Sequence, residues 1–370
     1  MKKKSATRNA VPSPAAGKTL LIAAGGTGGH ISPGVSIAER WLSEGGRIIF
    51  ATLMKNIDYP DVVRLARNEA VTIVGYDAPR LTRNPLKLYS FLRRFRAALR
   101  LIRQVAVDEH ADAVLGMGGY SSFPAVAFSL LNRKPLYLCE QNAHWGMVTR
   151  WARRFARGIF LSFPAGHSLD KKFVVTGNPL RAMFSSEGPQ KVRRKAAQKQ
   201  NILFIGGSQG ATDINNLYLA FIAHPAAAKF HCTVAAGANA FNELKGKARK
   251  NDEILPFIED MPAAYAAADF IVARCGSGVL FEVLWSKRPA FLIPYPFAAD
   301  DHQKANAVAM ASQMPCRIYD ERPFQAEKAL PAFADFLMHL PGARHAGQET
   351  RAEEQITRYI LENLNHAKKI

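Results

Sequence analysis

Residues 19–34 read TLLIAAGGTGGHISPG. The run TLLIAA suits a buried strand, and the glycines Gly25, Gly26, Gly28 and Gly29 follow it closely, with His30 at their end. After them VSIAERWLSEGG has helical spacing, with Val35, Ile37, Ala38, Trp41 and Leu42 apolar. A strand, a glycine loop and a helix present bare backbone N–H groups and a helix N-terminus to an anion. The expected occupant is a diphosphate or a sugar ring lying against the main chain. GGTGGH fits neither the dinucleotide fingerprint nor the P-loop, so a purely structural turn competes with that reading. His30 favours function. At a helix start the dipole disfavours imidazolium, leaving a neutral ring able to take a proton from a substrate hydroxyl.

The chain has 370 residues, 48% hydrophobic and 21% charged, which suits an α/β protein of two domains. Its net charge of +19 and pI near 9.9 call for an anionic partner. Residues 78–107 contain no acidic side chain but carry Arg80, Arg83, Lys87, Arg93, Arg94, Arg96, Arg100 and Arg103. No aromatic platform of a nucleic-acid module is interleaved with them, which argues against nucleic acid. The four cysteines (Cys139, Cys232, Cys275, Cys316) form no C-x-x-C pair, so neither a zinc site nor a disulfide framework is expected. No apolar run reaches the ~20 residues that span a bilayer.

Short apolar runs alternate with helical patterns along the whole chain. In the first half they are TLLIAA, RIIFATL, VTIVGY, AVLGMGG, PLYLCEQ, GIFLSF and FVVTGN. After a polar stretch, SSEGPQKVRRKAAQKQ, they resume as NILFIGG, FHCTVAAG, EILPFI, DFIVARCG, RPAFLIPYP and CRIYD. The expected organisation is a flexible tail at 1–17 and a first Rossmann-type domain at 18–180. A linker at 181–199 leads to a second such domain at 200–347, and a helix near 348–366 rejoins the first. The two openings, LIAAGGTGG and LFIGGSQGA, suggest one architecture used twice.

Further glycine and polar turns follow predicted strands. GMGGYSSFP (116–124) supplies Gly118, Gly119 and Tyr120, which with Gly25 and Gly26 would wall an acceptor diphosphate. CEQNAHWG (139–146) ends an apolar strand in Glu140, Gln141 and Asn142, polar groups expected to face a ligand. GGSQGATDIN (206–215) places Ser208 before a helix, suited to phosphate oxygens. RCGSGVLFEVLW (274–285) carries Glu282 into the helix after a glycine turn, where a carboxylate accepts ribose hydroxyls. YPFAADDHQKANA (295–307) begins a helix bearing His302, Gln303 and Asn306.

In this order, GGTGGH, GMGGY, EQN, GNPLR, GGSQGA, the glycine turn with Glu282 and ADDHQxxNA resemble the bacterial MurG family. These are the undecaprenyl-diphospho-muramoylpentapeptide β-N-acetylglucosaminyltransferases, and the resemblance covers about residues 19–315. It implies a GT-B fold, two Rossmann-like domains with parallel sheets facing across a cleft. It implies UDP-N-acetylglucosamine as donor and a polyprenyl-diphosphate-linked N-acetylmuramoyl pentapeptide as acceptor. By matching position, donor contacts fall on Thr27, Gly28, Gly29, Asn142, Arg181, Ser208, Ile258, Ser277, Gly278, Val279, Leu280, Phe281, Glu282 and Gln303. The family commonly reads HEQN where this chain has Cys139, and RSGAxT where it has Cys275, Ser277 and Val279.

The implied reaction is an inverting displacement, for which His30 and Glu140 are the two candidate bases. Helix N-termini, Ser208 and Arg274 would offset the charge on the departing UDP. No tightly bound cofactor and no protein metal site are expected, a divalent cation such as Mg being allowed as a stimulant. Around NPLKLYSFLRRFRAALRLIR, Leu81, Leu86 and Tyr89 with Arg83, Lys87, Arg93 and Arg94 would rest on an anionic membrane at its cytoplasmic face. A crossover helix packed on the sheet is the competing reading of that segment. Other cell-wall synthesis proteins are further partners the resemblance allows. The alternative activities are transfer to a diacylglycerol-type lipid, and epimerisation or hydrolysis of the UDP-sugar on the same fold.

Overall fold

A computed structural model describes residues 13–78, 85–164, 170–184, 188–189, 199–207, 210–339 and 351–366, without side chains at 85–87 and 299. The N-terminal half holds a seven-stranded sheet of β1 (Thr19–Ala23), β2 (Arg47–Leu53), β3 (Val71–Tyr76), β4 (Ala113–Gly116), β5 (Leu136–Glu140), β6 (Gly158–Leu161) and β7 (Phe173–Val175). Their order is β3-β2-β1-β4-β5-β6-β7 and every pairing is parallel. The helices between them are α1 (Gly28–Ser43), α2 (Pro60–Leu65), α3 (Pro85–Asp108), α4 (Phe123–Leu131) and α5 (Met147–Ala152).

The C-terminal half repeats the plan. Its six strands are β8 (Gln200–Ile205), β9 (Phe230–Ala235), β10 (Glu253–Leu255), β11 (Phe270–Ala273), β12 (Ala290–Leu292) and β13 (Cys316–Ile318). They are parallel in the order β10-β9-β8-β11-β12-β13. Its helices are α6 (Thr212–Ile222), α7 (Phe241–Lys247), α8 (Met261–Ala267), α9 (Ser277–Ser286), α10 (His302–Met310) and α11 (Ala326–Met338). The last helix, α12 (Ala352–His366), returns to the N-terminal half.

The strands are apolar on both faces because helices cover both sides of each sheet. In β1, Leu20 and Ile22 enter the layer that holds Trp41, while Leu21 and Ala23 enter the opposite one. In β8, Ile202 and Phe204 pack with Phe221 and Phe333, and Leu203 and Ile205 with Leu280 and Leu284. α12 packs Ile356, Ile360, Leu361 and Leu364 into the Trp41 layer, and Lys18 Nζ donates to Asn365 Oδ1 at 2.5 Å.

Two sequence expectations change here. The ordered chain begins before residue 18. Ala15 is fully buried and its N–H donates to Glu44 O at 3.0 Å, so residues 13–17 form a turn clamped to the end of α1. Residues 1–12 lie outside the described residues. Within the expected linker, Phe184 packs against Tyr265 and Trp285, so residues 181–184 belong to the C-terminal half.

The α3 segment resolves into both of its readings at once. Ala98, Ile102 and Ala106 are buried under the sheet, whereas Leu88, Leu92 and Tyr89, the last 77% exposed, face outward. Leu81 and Arg83 lie outside the described residues, as do the side chains of Leu86 and Lys87.

The closing helix yields a stability prediction. Ile360→Ala removes a fully buried side chain from the α1–α12 layer and should cost about 2–5 kcal/mol, read as a lowered urea midpoint.

Candidate active site

In an open parallel sheet, ligands bind beyond the carboxyl ends of the strands, at the point where strand order reverses. Here those points lie between β1 and β4, and between β8 and β11. In the N-terminal half the two loops leaving the reversal are stitched together. Ser121 Oγ donates to Gly25 O at 2.9 Å, and the Tyr76 hydroxyl donates to Ser121 O. Gly26 N–H donates to Asn56 Oδ1 at 3.1 Å, so that amide is already engaged by the protein. Gly118 and Gly119 have φ of +80° and +67°, a conformation that glycine adopts without strain. Both lie against the base candidate: a Cβ at Gly119 would sit 3.5 Å from His30 Nε2, and one at Gly118 3.6 Å from His30 Cδ2.

His30 occupies the first turn of α1, with Nδ1 3.3 Å from the Thr27 hydroxyl. When Nδ1–H donates to Thr27, the Nε2 lone pair faces the Gly118–Gly119 turn. Enclosure of the ring is the main cause that pulls its pKa down to about 4, and His302 across the cleft adds to it. The direction agrees with the neutral ring expected from the sequence, with burial as its first cause and His302 as its second.

Glu140 takes a different place from the one its motif suggested. It is 2% exposed, and its carboxylate accepts the N–H of Asn142 at 3.1 Å and of Gly146 at 2.9 Å. Burial raises its pKa, opposed by those hydrogen bonds. It staples its own loop, and of the two base candidates only His30 faces the opening. Gln141 is also buried. It does not face an open ligand space. The Cys139 thiol is fully buried and pushed up to about 12, so it is unreactive.

In the C-terminal half, the turn into α9 leaves the N–H groups of Ser277, Gly278 and Val279 without intrahelical acceptors. A Cβ at Gly276 or Gly278 would meet nothing within 4 Å, so a ligand has room to approach this backbone. Leu280 and Phe281 depart from the expected contacts. Their side chains are buried in the lobe core, and Leu280 N–H already donates to Gly276 O at 3.0 Å. Ile258 is buried too, so only its main chain is left for a ligand. Ser208 lies outside the described residues.

Glu282 accepts from Arg181 Nη2 at 3.2 Å and from the Tyr265 hydroxyl at 3.0 Å. Burial raises its pKa, and Arg181 opposes the rise. Arg274 is not the free phosphate clamp that the sequence suggested. It is ion-paired to Asp213, donates to the carbonyls of Ile293 and Pro294, and lies over the Tyr295 ring. Gln303 Oε1 accepts the N–H groups of Cys275 at 3.1 Å and Tyr295 at 3.0 Å, which leaves its NH2 group as the end able to reach a ligand.

The two halves meet across this cleft. Asn306 Nδ2 donates to Asn142 Oδ1 at 3.1 Å, and Asn306 Oδ1 accepts Ala143 N–H at 2.8 Å. Phe163 and Phe281 meet edge-on with centroids 5.2 Å apart. His30, Thr27, Gly118, Gly119 and Asn142 are thus brought to one wall, and Gln303 and the α9 turn to the other. Tyr120 follows the Gly119 turn as the first residue of a short 3₁₀ turn.

His302 and Asn306 were noted in the sequence with Gln303 but given no contact, and Tyr265 and Asp213 were not singled out. The i, i+3 spacing of Gln303 and Asn306 puts both on one helix face and was the available signal for Asn306. Nothing local marks Tyr265 or Asp213.

Two doubly wound parallel sheets, with glycine turns and helix N-termini lining the cleft between them, define the GT-B fold. The glycosyltransferase family 28 N-terminal domain matches residues 20–161, and the family's C-terminal domain matches residues 201–355. A UDP-N-acetylglucosamine--N-acetylmuramyl-(pentapeptide) pyrophosphoryl-undecaprenol N-acetylglucosamine transferase from Leptospira interrogans is 36% identical over 303 residues, 78% of this chain and 82% of the relative. The protein of the same name from Burkholderia thailandensis is 33% identical over 327 residues, 84% and 85% of the two chains. The crystal structure of Acinetobacter baumannii MurG superposes with a TM-score of 0.68 at 25% identity, covering 94% of this chain and 99% of that one. The chain belongs to glycosyltransferase family 28, in its MurG family.

The low pKa of His30 gives a prediction with a definite sign. An unfolded histidine, near 6.5, takes up its proton at a pH where folded His30 does not. Its contribution to stability is therefore complete above 6.5 and is lost as pH falls through about 4. An NMR titration of the His30 ring should show its midpoint near 4, and a midpoint near 6.5 would refute the enclosed, neutral ring.

Proposed function

We propose that this chain transfers N-acetylglucosamine from UDP-N-acetylglucosamine to the C4 hydroxyl of a polyprenyl-diphosphate-linked N-acetylmuramoyl pentapeptide, in peptidoglycan synthesis. The observation that carries it is the juxtaposition of a neutral His30 on one wall with an open helix N-terminus, that of α9, on the other. The names of relatives that match most of the chain supply the substrates.

In the proposed step, His30 Nε2 takes the C4 hydroxyl proton as the oxygen attacks the anomeric carbon. The C1–O4 bond forms with inversion, the bond from C1 to the phosphate oxygen breaks, and its electron pair leaves with UDP. The N–H groups at the start of α9 would hold the diphosphate and offset its charge. Glu282 would accept ribose hydroxyls through the lone pairs that Arg181 and Tyr265 leave open. The Ile258 main chain would meet the uracil edge. Asn142 and the Gln303 NH2 group would hold sugar hydroxyls. No tightly bound cofactor enters this scheme, and a divalent cation would act from the diphosphate.

The direct test is transfer of radiolabelled sugar from UDP-N-acetylglucosamine to the lipid-linked muramoyl acceptor, with diacylglycerol as control. Label in diacylglycerol alone would overturn the acceptor. Removing a general base costs roughly 10²–10⁴-fold. His30→Ala should therefore lower kcat by that range with little change in donor KM, whereas a loss of only a few-fold would remove His30 from the role.

The outer face of the N-terminal half supports peripheral docking on an anionic leaflet at the cytoplasmic face of the membrane. Phe91, Phe95, Phe123, Trp151 and Phe155 form a continuous run of ring contacts from α3 to the residues after α5. Tyr89, Leu88, Leu92, Trp151 and Phe155 are exposed on it, with Arg93, Arg94, Arg150, Arg153 and Arg154 exposed nearby in the chain. Among the described residues no helix is long and apolar enough to cross a membrane. Each basic residue near an anionic surface contributes about 1 kcal/mol. Arg93→Glu with Arg94→Glu should cut partitioning onto phosphatidylglycerol vesicles at least tenfold at low salt. Unchanged partitioning would refute the surface.

A further inference from the structure

We infer that Asn306 is a positioning residue for the donor sugar, acting through Asn142 by a hydrogen-bonded bridge across the cleft. Asn306 is fully buried at the middle of α10. Its carboxamide makes three hydrogen bonds, and they fall on both halves of the protein. The amide nitrogen donates to Asn142 Oδ1 at 3.1 Å and to Cys275 O at 3.2 Å. The amide oxygen accepts Ala143 N–H at 2.8 Å. One planar group therefore joins the loop after β5 to the loop after β11, and an amide is needed because it donates and accepts at once.

The bridge fixes more than the approach of the lobes. With its carbonyl oxygen engaged by Asn306, the Asn142 side chain is set in one amide orientation, its NH2 group directed away from that bond. A group already oriented before binding loses less freedom when it meets a sugar hydroxyl. The same peptide segment that Asn306 grips at Cys275 O is gripped by Gln303 Oε1 at Cys275 N–H. Asn142 and Gln303, the two proposed sugar-hydroxyl contacts, are consequently held in one network although they belong to different halves. The inference rests on the proposed donor and adds to it a device that couples lobe approach to sugar recognition.

The test uses the full chain and binding alone, so it does not depend on the acceptor. Calorimetric Kd values for UDP-N-acetylglucosamine and for UDP are measured for the unsubstituted protein, Asn306→Ala, Asn142→Ala and the double variant. A hydrogen bond of this kind is worth about a factor of ten in affinity. Asn306→Ala should weaken UDP-N-acetylglucosamine about tenfold, leave UDP within about twofold, and add less than about twofold in the Asn142→Ala background. Asn306→Asp keeps the acceptor for Ala143 N–H and cannot donate to Asn142. It should reproduce the same pattern and serves if the alanine variant does not fold. Equal losses for UDP and UDP-N-acetylglucosamine, or a full additive loss in the double variant, would reduce Asn306 to a structural tie and overturn the inference. An unsubstituted protein that binds UDP but not UDP-N-acetylglucosamine would instead defeat the donor assignment itself.

Discussion

Because every paired strand in both sheets runs parallel, each strand must be followed by a crossover, and all the loops leaving the carboxyl ends gather on one edge. Strand order reverses once in each sheet, and at that reversal neighbouring loops diverge and leave a crevice. The rest of the molecule follows from placing two such edges face to face. Glycine turns end up in the crevices because only bare backbone lets a ligand approach main-chain N–H groups closely. The covering helices make the strands apolar throughout, and that keeps polar chemistry at the strand ends.

Charge is handled differently inside the cleft and outside it. Inside, Glu282 is matched by Arg181 and Tyr265, and Arg274 by Asp213, so these buried ions are satisfied by the protein before any ligand arrives. An unpaired buried charge would cost several kcal/mol, and with Arg181 and Arg274 both engaged by the protein the backbone N–H groups at the start of α9 are left open toward a diphosphate. His30 follows the same rule from the other side: burial and the nearby His302 both disfavour its charged form. The net charge of +19 is carried in large part by exposed arginines such as those of α3 and α5, where water screens mutual repulsion.

The α3 helix joins these two regimes in one element. Its later turns bury Ala98, Ile102 and Ala106 against the sheet, and its earlier turns run past the edge of that support with Leu88, Tyr89 and Leu92 uncovered. The aromatic contacts from Phe95 through Phe123 to Trp151 tie this overhang to α4 and α5. α4 begins at Phe123, immediately after the loop that carries Gly118 and Gly119. The exposed apolar face and the Gly118–Gly119 turn are therefore joined through α4. An enzyme acting on a lipid-anchored acceptor needs that proximity, because the reacting hydroxyl stays close to the surface that holds its anchor.

Both sheets, the glycine turns, the place of His30 and the return of a closing helix were all legible in the chain. They depend on local signals: apolar runs the length of a strand, glycines at their ends, and helical spacing after them. The direction of the Glu140 carboxylate, the engagement of Arg274 and the inward turn of Leu280 and Phe281 were not legible. Glu140 looks the same in sequence whether it faces a substrate or its own loop, and only the closed turn to Gly146 decides it. Arg274 meets Asp213, and Asn306 meets Asn142, across 61 and 164 positions of chain. Side-chain type and spacing determine which elements form and which residues reach the cleft edge. Which polar groups remain available there is decided by hydrogen-bond partners from distant segments, which only the folded arrangement of the two halves supplies.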